Sequence, residues 1–187
     1  MKRISVVGLG FLLVASVLAW KSNAQTQRNA SKRTTERAWL EQFVGQWDSE
    51  AEVFLEPGKA PFTWKGSETT RSIDPHWVIA ESVVTFMDQP MTGVRTFGSD
   101  RLKNKYVGTF VGSFSDHLWV YEGALDASGK VLTLEANGPA PYAPGTLCKW
   151  RDVIEFTGEN RRVLTNSLQN ADGTWQVVVK AEFRRKH

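Results

Sequence analysis

One cysteine, Cys148, stands in the whole chain. No disulfide can form within it, and on a strand that residue reads as a small buried apolar side chain rather than a reactive thiol. Histidine is nearly as scarce: His76 follows a turn proline, His117 opens an apolar run and His187 is the last residue. Three separated histidines and one cysteine give no zinc spacing, so no metal site is expected. A G-x-S-x-G elbow, a phosphate-cradling glycine loop and a dinucleotide fingerprint are also missing, and no catalytic residue is assigned. Ser115-Asp116-His117 carries the residue types of a hydrolase triad. Consecutive residues on a turn and strand point in different directions, however, whereas triads are assembled in space.

Net charge is lacking too once the N-terminus is set aside. Lys2 and Arg3 precede an apolar stretch, Val6 to Ala19, and Ser22-Asn23-Ala24 places small residues where a signal peptidase reads them. This is the pattern of a secretory signal, expected to span residues 1–24. The apolar run falls short of the roughly 20 residues needed to cross a bilayer, so stable membrane insertion of the mature chain is not expected. Removing Lys2, Arg3 and Lys21 leaves twenty basic and twenty acidic residues, and the basic isoelectric point belongs to the signal. Nothing then recommends nucleic acid or an anionic membrane as a partner. Expected localisation is periplasmic or extracellular.

What is present is a short helical pattern followed by a long series of strand patterns. Residues 25–35 are polar and without apolar period, and read as a flexible linker. With Thr34 or Thr35 as cap, Trp39, Leu40, Phe43 and Val44 form one apolar stripe, predicting a helix over 36–43 that covers one end of the fold. The Val44-Gly45-Gln46-Trp47 stretch then changes the period from helical to two. Trp47, Ser49, Ala51, Val53 and Leu55 alternate with Gln46, Asp48, Glu50 and Glu52.

Nine further runs follow, at 62–73, 77–87, 91–99, 105–114, 117–125, 130–137, 146–156, 162–169 and 174–185. The connectors, such as Asp88-Gln89-Pro90 and Ala171-Asp172-Gly173, are too short for the crossovers that parallel strands need. In the last run Trp175, Val177, Val179, Ala181 and Phe183 share one parity. Pairing the first and last strands removes both exposed edges. The fold class predicted is all-β, an antiparallel up-and-down barrel of about ten strands in one domain, residues 36–187.

Several segments carry a family resemblance. Gly45-Gln46-Trp47 after a short helix resembles the entry motif of the calycins, the lipocalin and fatty-acid-binding barrels. With it come Glu56-Pro57-Gly58, Gly93, Phe97-Gly98-Ser99-Asp100 leading into Lys105-Tyr106-Val107, Glu122-Gly123 with Asp126, and the closing Phe183-Arg184-Arg185-Lys186. From Arg37 to Lys186 this series is similar to an exported, mainly bacterial family, Domain of Unknown Function 1579. In that family a tyrosine generally stands where this chain has Ser99. The resemblance implies a calycin-like barrel and supplies no activity. It also implies a basic residue of the final strand lying across the entry tryptophan. Arg184 and Arg185 are the candidates, making Gly45, Trp47 and one of these arginines the closure of the barrel.

Eight tryptophans and ten phenylalanines must either fill such a barrel or line a cavity in it. Cavity candidates are Trp64, Trp77, Trp119 and Trp150. Three charged residues share parity with apolar neighbours: Glu81 with Trp77, Ile79 and Val83; Glu122 with Leu118, Val120 and Ala124; and Arg151, between Leu147 and Val153. A buried charge needs a partner, so Glu81 or Glu122 paired with Arg151 inside the barrel would orient a polar group of a ligand. The expected work is non-covalent binding of a small apolar or amphipathic molecule, with no cofactor. The alternatives are a filled barrel that acts through its surface, a haem barrel using His117 or His76, and a hydrolase.

Overall fold

The computed structural model describes residues 24–28, 30–32, 34–56, 58–141 and 143–187; the signal pattern up to residue 23 lies outside them. The chain divides between Ala38 and Trp39 into two units. In the first, the described residues from 24 to 38 are helical, including those read from sequence as a linker. Local bonds support that helix where an apolar stripe is missing. Lys32 and Glu36 form an i,i+4 ion pair at 3.6 Å, and the Thr34 and Thr35 hydroxyls donate to the carbonyls of Ala30 and Ser31, both at 3.1 Å. These threonines therefore sit inside the helix and do not cap it.

The second unit is a closed barrel of ten antiparallel strands in sequence order. They are β1 (Gly45–Val53), β2 (Phe62–Asp74), β3 (Trp77–Phe86), β4 (Gln89–Asp100), β5 (Lys105–Gly112), β6 (Ser115–Leu125), β7 (Val131–Pro139), β8 (Leu147–Gly158), β9 (Arg161–Gln169) and β10 (Trp175–Arg185). No boundary differs from the sequence expectation by more than two residues, because turn chemistry punctuates nearly every run. Closure is through β1 and β10, with Ser49 opposite Phe183, Ala51 opposite Ala181 and Val53 opposite Val179.

Residues 39–44, which belong to the second unit, enter this barrel. The turn they form is tightened by bonds from the Gln42, Phe43 and Val44 amides to carbonyls three residues back, at 3.1 to 3.3 Å. Trp39, Leu40 and Phe43 are buried against Val78, Phe97 and Tyr106. Phe43 meets Phe97 edge-on with centroids 4.5 Å apart, and Trp39 meets Phe156 at 5.6 Å. This plug is the floor of the barrel interior.

Trp47 is fully buried, and its indole N–H donates to the Phe43 carbonyl at 2.8 Å. Of the two candidate arginines, Arg185 closes the barrel. Its Nη1 donates to the Val44 carbonyl at 2.5 Å and its Nη2 to the Gln42 carbonyl at 2.8 Å, with the guanidinium carbon 4.2 Å from the Trp47 ring centroid. Gly45 makes room for it: φ is +132°, and a Cβ there would lie 2.5 Å from Arg185 Nη1. Arg184 points outward and pairs at 3.5 Å with Glu182. Replacing Arg185 with leucine leaves two carbonyls without their donors and is expected to cost about 2 kcal/mol or more in urea denaturation. Arg184→Leu, which loses one exposed pair, should change stability by less than about 1 kcal/mol.

Candidate functional site

Inward residues of a barrel alternate along every strand, so a single register decides what the interior contains. The interior is unevenly filled. On the β6–β8 side, Trp119 packs edge-on against Trp150 with centroids 5.3 Å apart and lies beside Tyr121 at 6.4 Å. Gly138 of β7 accommodates that indole, since a Cβ there would come within 1.9 Å of it. The opposite side, walled mainly by β1 to β4 and β10, holds a cavity of about 440 Å³, within the usual range for small-molecule sites. Phe43 and Phe97 are at its base, Trp64, Ala80 and Val84 form its wall, and Leu55, Met91 and Phe114 reach the rim farthest from the plug.

Two ion pairs stand in this largely apolar interior. Arg95 of β4 donates from Nη1 to Asp152 Oδ2 of β8 at 2.8 Å, and Asn166 of β9 donates to the other oxygen of that carboxylate at 2.7 Å. Asp152 is fully buried. Arg162 of β9 donates from Nη2 to Glu68 Oε1 of β2, and the Thr70 hydroxyl donates to the same oxygen at 2.8 Å. Arg95, Glu68 and Arg162 line the cavity. The Arg162 guanidinium carbon also lies 4.1 Å from the ring centroid of Phe183, 4.6 Å from that of Trp47 and 4.9 Å from that of Phe43.

The two guanidiniums respond differently to this setting. Burial is the largest single influence on Arg95 and works against its charge, but Asp152, Tyr121 and Glu68 together outweigh it and the pKa is raised. For Arg162 burial is the dominant influence and the pKa is lowered; Glu68 opposes this, while Arg95 and Arg185 act in the same direction as burial. The Tyr121 phenol is pushed well above its ordinary pKa, by burial first and then by Asp152.

The residues singled out from sequence are dispersed by this register. Trp64 lines the cavity, and Trp119 and Trp150 pack the filled side. Glu81 is exposed, and Trp77 shares its outward parity on β3, where Val78, Ala80, Ser82 and Val84 point inward. Glu122 does not pair with Arg151: it accepts from Lys103 at 2.6 Å and Lys105 at 2.8 Å on the outer surface. Nor does Arg151 enter the interior; it stacks over Trp175, 4.1 Å from that ring's centroid. A bulge between Val177 and Val179 turns Trp175 and Val177 outward, breaking the single parity expected of the last strand.

His117 meets the Asn137 carbonyl at 3.1 Å and His76 meets Arg101 at 2.8 Å; neither lines the cavity. Cys148 is half-buried, and burial raises its thiol pKa. Among the described residues no cluster of three metal-ligating side chains occurs, and no helix is long and apolar enough to cross a membrane.

Sequence reasoning missed Glu68, Arg95, Asp152 and Arg162, although the signal was there. Glu68 shares parity with Trp64, Arg95 with Met91 and Phe97, Asp152 with Trp150 and Ile154, and Arg162 with Leu164 and Leu168.

Asp152→Ala removes the carboxylate facing Arg95 and is expected to destabilise the barrel by about 3–5 kcal/mol in urea denaturation, with Glu81→Gln as a control within about 0.5 kcal/mol. Glu122 supplies a pH signature. Hydrogen bonds from Lys103 and Lys105, reinforced by their charge, depress its pKa from 4.5 to about 2. A depressed carboxylate contributes stability above its unfolded pKa and loses it as pH falls through the folded one. Unfolding free energies of the wild type and Glu122→Gln should therefore differ at neutral pH and converge as pH drops from 4.5 toward 2. The difference should shrink with added salt.

In sequence, no curated protein matches the chain significantly. In structure, the barrel is similar to Rv2717c from M. tuberculosis, at 14% identity and a TM-score of 0.57, over 79% of this chain and 95% of that one. It is also similar to the S-type phycobiliprotein lyase CPES from Guillardia theta, at 10% identity and a TM-score of 0.54, over 80% of this chain and 92% of that one. At such identities the likeness shows the fold alone. The sequence profile of a family described as "Protein of unknown function (DUF1579)" matches residues 32–185, which takes in every strand of the barrel, and the chain belongs to that family.

Proposed function

We propose that this protein is an exported barrel that holds a small, mainly apolar or amphipathic molecule non-covalently in its interior. The observation that carries this reading is the cavity of about 440 Å³, closed below by Phe43 and Phe97 and reaching an apolar rim at Leu55 and Phe114. A barrel that acted only through its surface would have no reason to leave one side of its interior open, because unfilled apolar space costs stability. Export is supported by the basic, apolar and small-residue pattern of residues 1–24.

Native mass spectrometry of the protein purified from its own host tests both parts. Expected are a polypeptide mass beginning at Gln25 and an additional non-covalent mass. A neutral apolar fluorophore such as N-phenyl-1-naphthylamine should gain emission with the wild type. It should gain none with Ser82→Trp, which places an indole in the cavity, provided that variant keeps its strand signature by circular dichroism. A clean unliganded mass together with no fluorophore uptake by the wild type would overturn the binding reading; an intact residue 1–24 segment on the host protein would overturn export.

A further inference from the structure

An antiparallel sheet with one face on the core normally turns polar residues to the other. The outer faces of β3 to β6 depart from this. Val83, Val94, Val111, Leu118 and Val120 are all exposed, by 39% to 56%, and the register gathers them. Val94 lies opposite Val111, Val120 opposite Thr109 and Val83 opposite Thr92, while Leu118 precedes Val120 by two residues on the same face. Strand propensity explains a valine on an outer face, but not four adjacent strands placing theirs side by side.

Two features suit this field to a dry contact. The hydroxyls of Thr96 and Thr109, in its middle, bond to each other at 2.7 Å, so covering them leaves a single hydroxyl hydrogen without a partner. At β3 and β4 the wall behind it is thinly backed, because the inward Ala80, Ser82 and Gly93 border the cavity rather than packed side chains. This part of the wall gains little burial from inside, and a partner outside would supply it.

Size and charge identify the partner. Strands lie about 4.8 Å apart and rise about 3.3 Å per residue, so a field four strands wide and five residues long has a footprint of roughly 300 Å². That is the apolar centre of a contact whose standard size is about 800 Å² per partner, the remainder being a polar rim. Glu81, opposite Val94, stands at the β3 border of the field. Around the β4–β5 turn Arg101, Lys103 and Lys105 outnumber Asp100 and Glu122. At the other end of the strands, residues 86–90 and 112–117 contain Asp88 and Asp116 and no lysine or arginine. A two-fold axis crossing the strands lays the basic end of one copy on the acidic end of the other and brings the two apolar fields face to face. We propose that this face is the interface of a homodimer, two barrels packed wall to wall with their strands running in opposite directions. The cavity rim lies at the end of the strands and off the shared face, so the dimer is independent of whether the cavity is filled.

Sedimentation velocity from about 1 to 200 µM protein is expected to show a monomer–dimer equilibrium with a micromolar dissociation constant, as suits a small contact. Val94→Lys brings an unpaired ammonium into the contact twice, once from each copy, and should weaken association by about tenfold or more. Leu118→Lys should do the same, and it takes the place of Val94→Lys if that variant loses its strand signature by circular dichroism. Val177→Lys is the matched control. It changes a valine that is 39% exposed, as Val94 is, but on the outer face of β10, and should dimerise like the wild type. A wild type that stays monomeric at the highest concentration, whether another protein, a lipid surface or nothing covers the field, overturns the proposal. A dimer that survives in a folded lysine variant of the field overturns it too, because the contact then lies elsewhere.

Discussion

The interior of this barrel depends on how Arg185 holds the end of the helix. The last carbonyls of a helix have no partner within it, and burying them unpaired would cost the plug much of what its apolar residues contribute. Arg185 donates to the Gln42 and Val44 carbonyls, and the Trp47 indole donates to that of Phe43. Three donors from the barrel wall thus fix the helix end at one depth. Because Arg185 belongs to the strand that closes on β1, the bonds that seat the plug also join the two ends of the sheet. The same bonds tie the floor of the cavity to the barrel wall.

How the interior is divided follows from ring volume within a closed perimeter. Trp119, Tyr121 and Trp150 arise on β6 and β8 and meet in the middle of that side, which is possible because β7 presents Gly138 to the Trp119 ring. On the other side the inward positions of β3 before its last residue, Phe86, are Val78, Ala80, Ser82 and Val84, with Gly93 on β4; these are too small to reach across. The asymmetry in side-chain size leaves the open volume on the β1–β4 side. Arg95 stands between the two regions, its guanidinium carbon 5.5 Å from the centroid of Tyr121 and 5.4 Å from that of Phe110.

The sequence revealed the architecture because period two, turn residues and the change of period at Gly45 are local signals, and each strand boundary rests on its own neighbours. Which face of a strand points inward is a property of the closed sheet. On β3 and β6 apolarity misleads, because Val83, Leu118 and Val120 are 51%, 54% and 56% exposed. β-branched side chains suit a strand whichever way they face, so the outer surface carries them too. Glu81 and Glu122 share parity with these outward residues. Parity was informative where a large ring fixed the inside, as Trp64 does for Glu68 and Trp150 for Asp152. In β10 even that rule needs the bulge at Val177 and Val179, which moves Trp175 to the outer face over Arg151.

Arg162 joins the closure of the barrel to the cavity wall through one group. Its Nη2 is committed to Glu68, and its guanidinium lies close to Phe43, Trp47 and Phe183. A guanidinium is planar, so fixing one nitrogen and packing the plane against rings also fixes the direction of the remaining nitrogen. Nη1 is therefore held in one direction and buried. A flexible lysine in this place would present no plane to the three rings, and fixing it would cost more rotamer freedom for each bond formed. The packing that stabilises the barrel floor thus also fixes the part of the cavity wall that Arg162 lines.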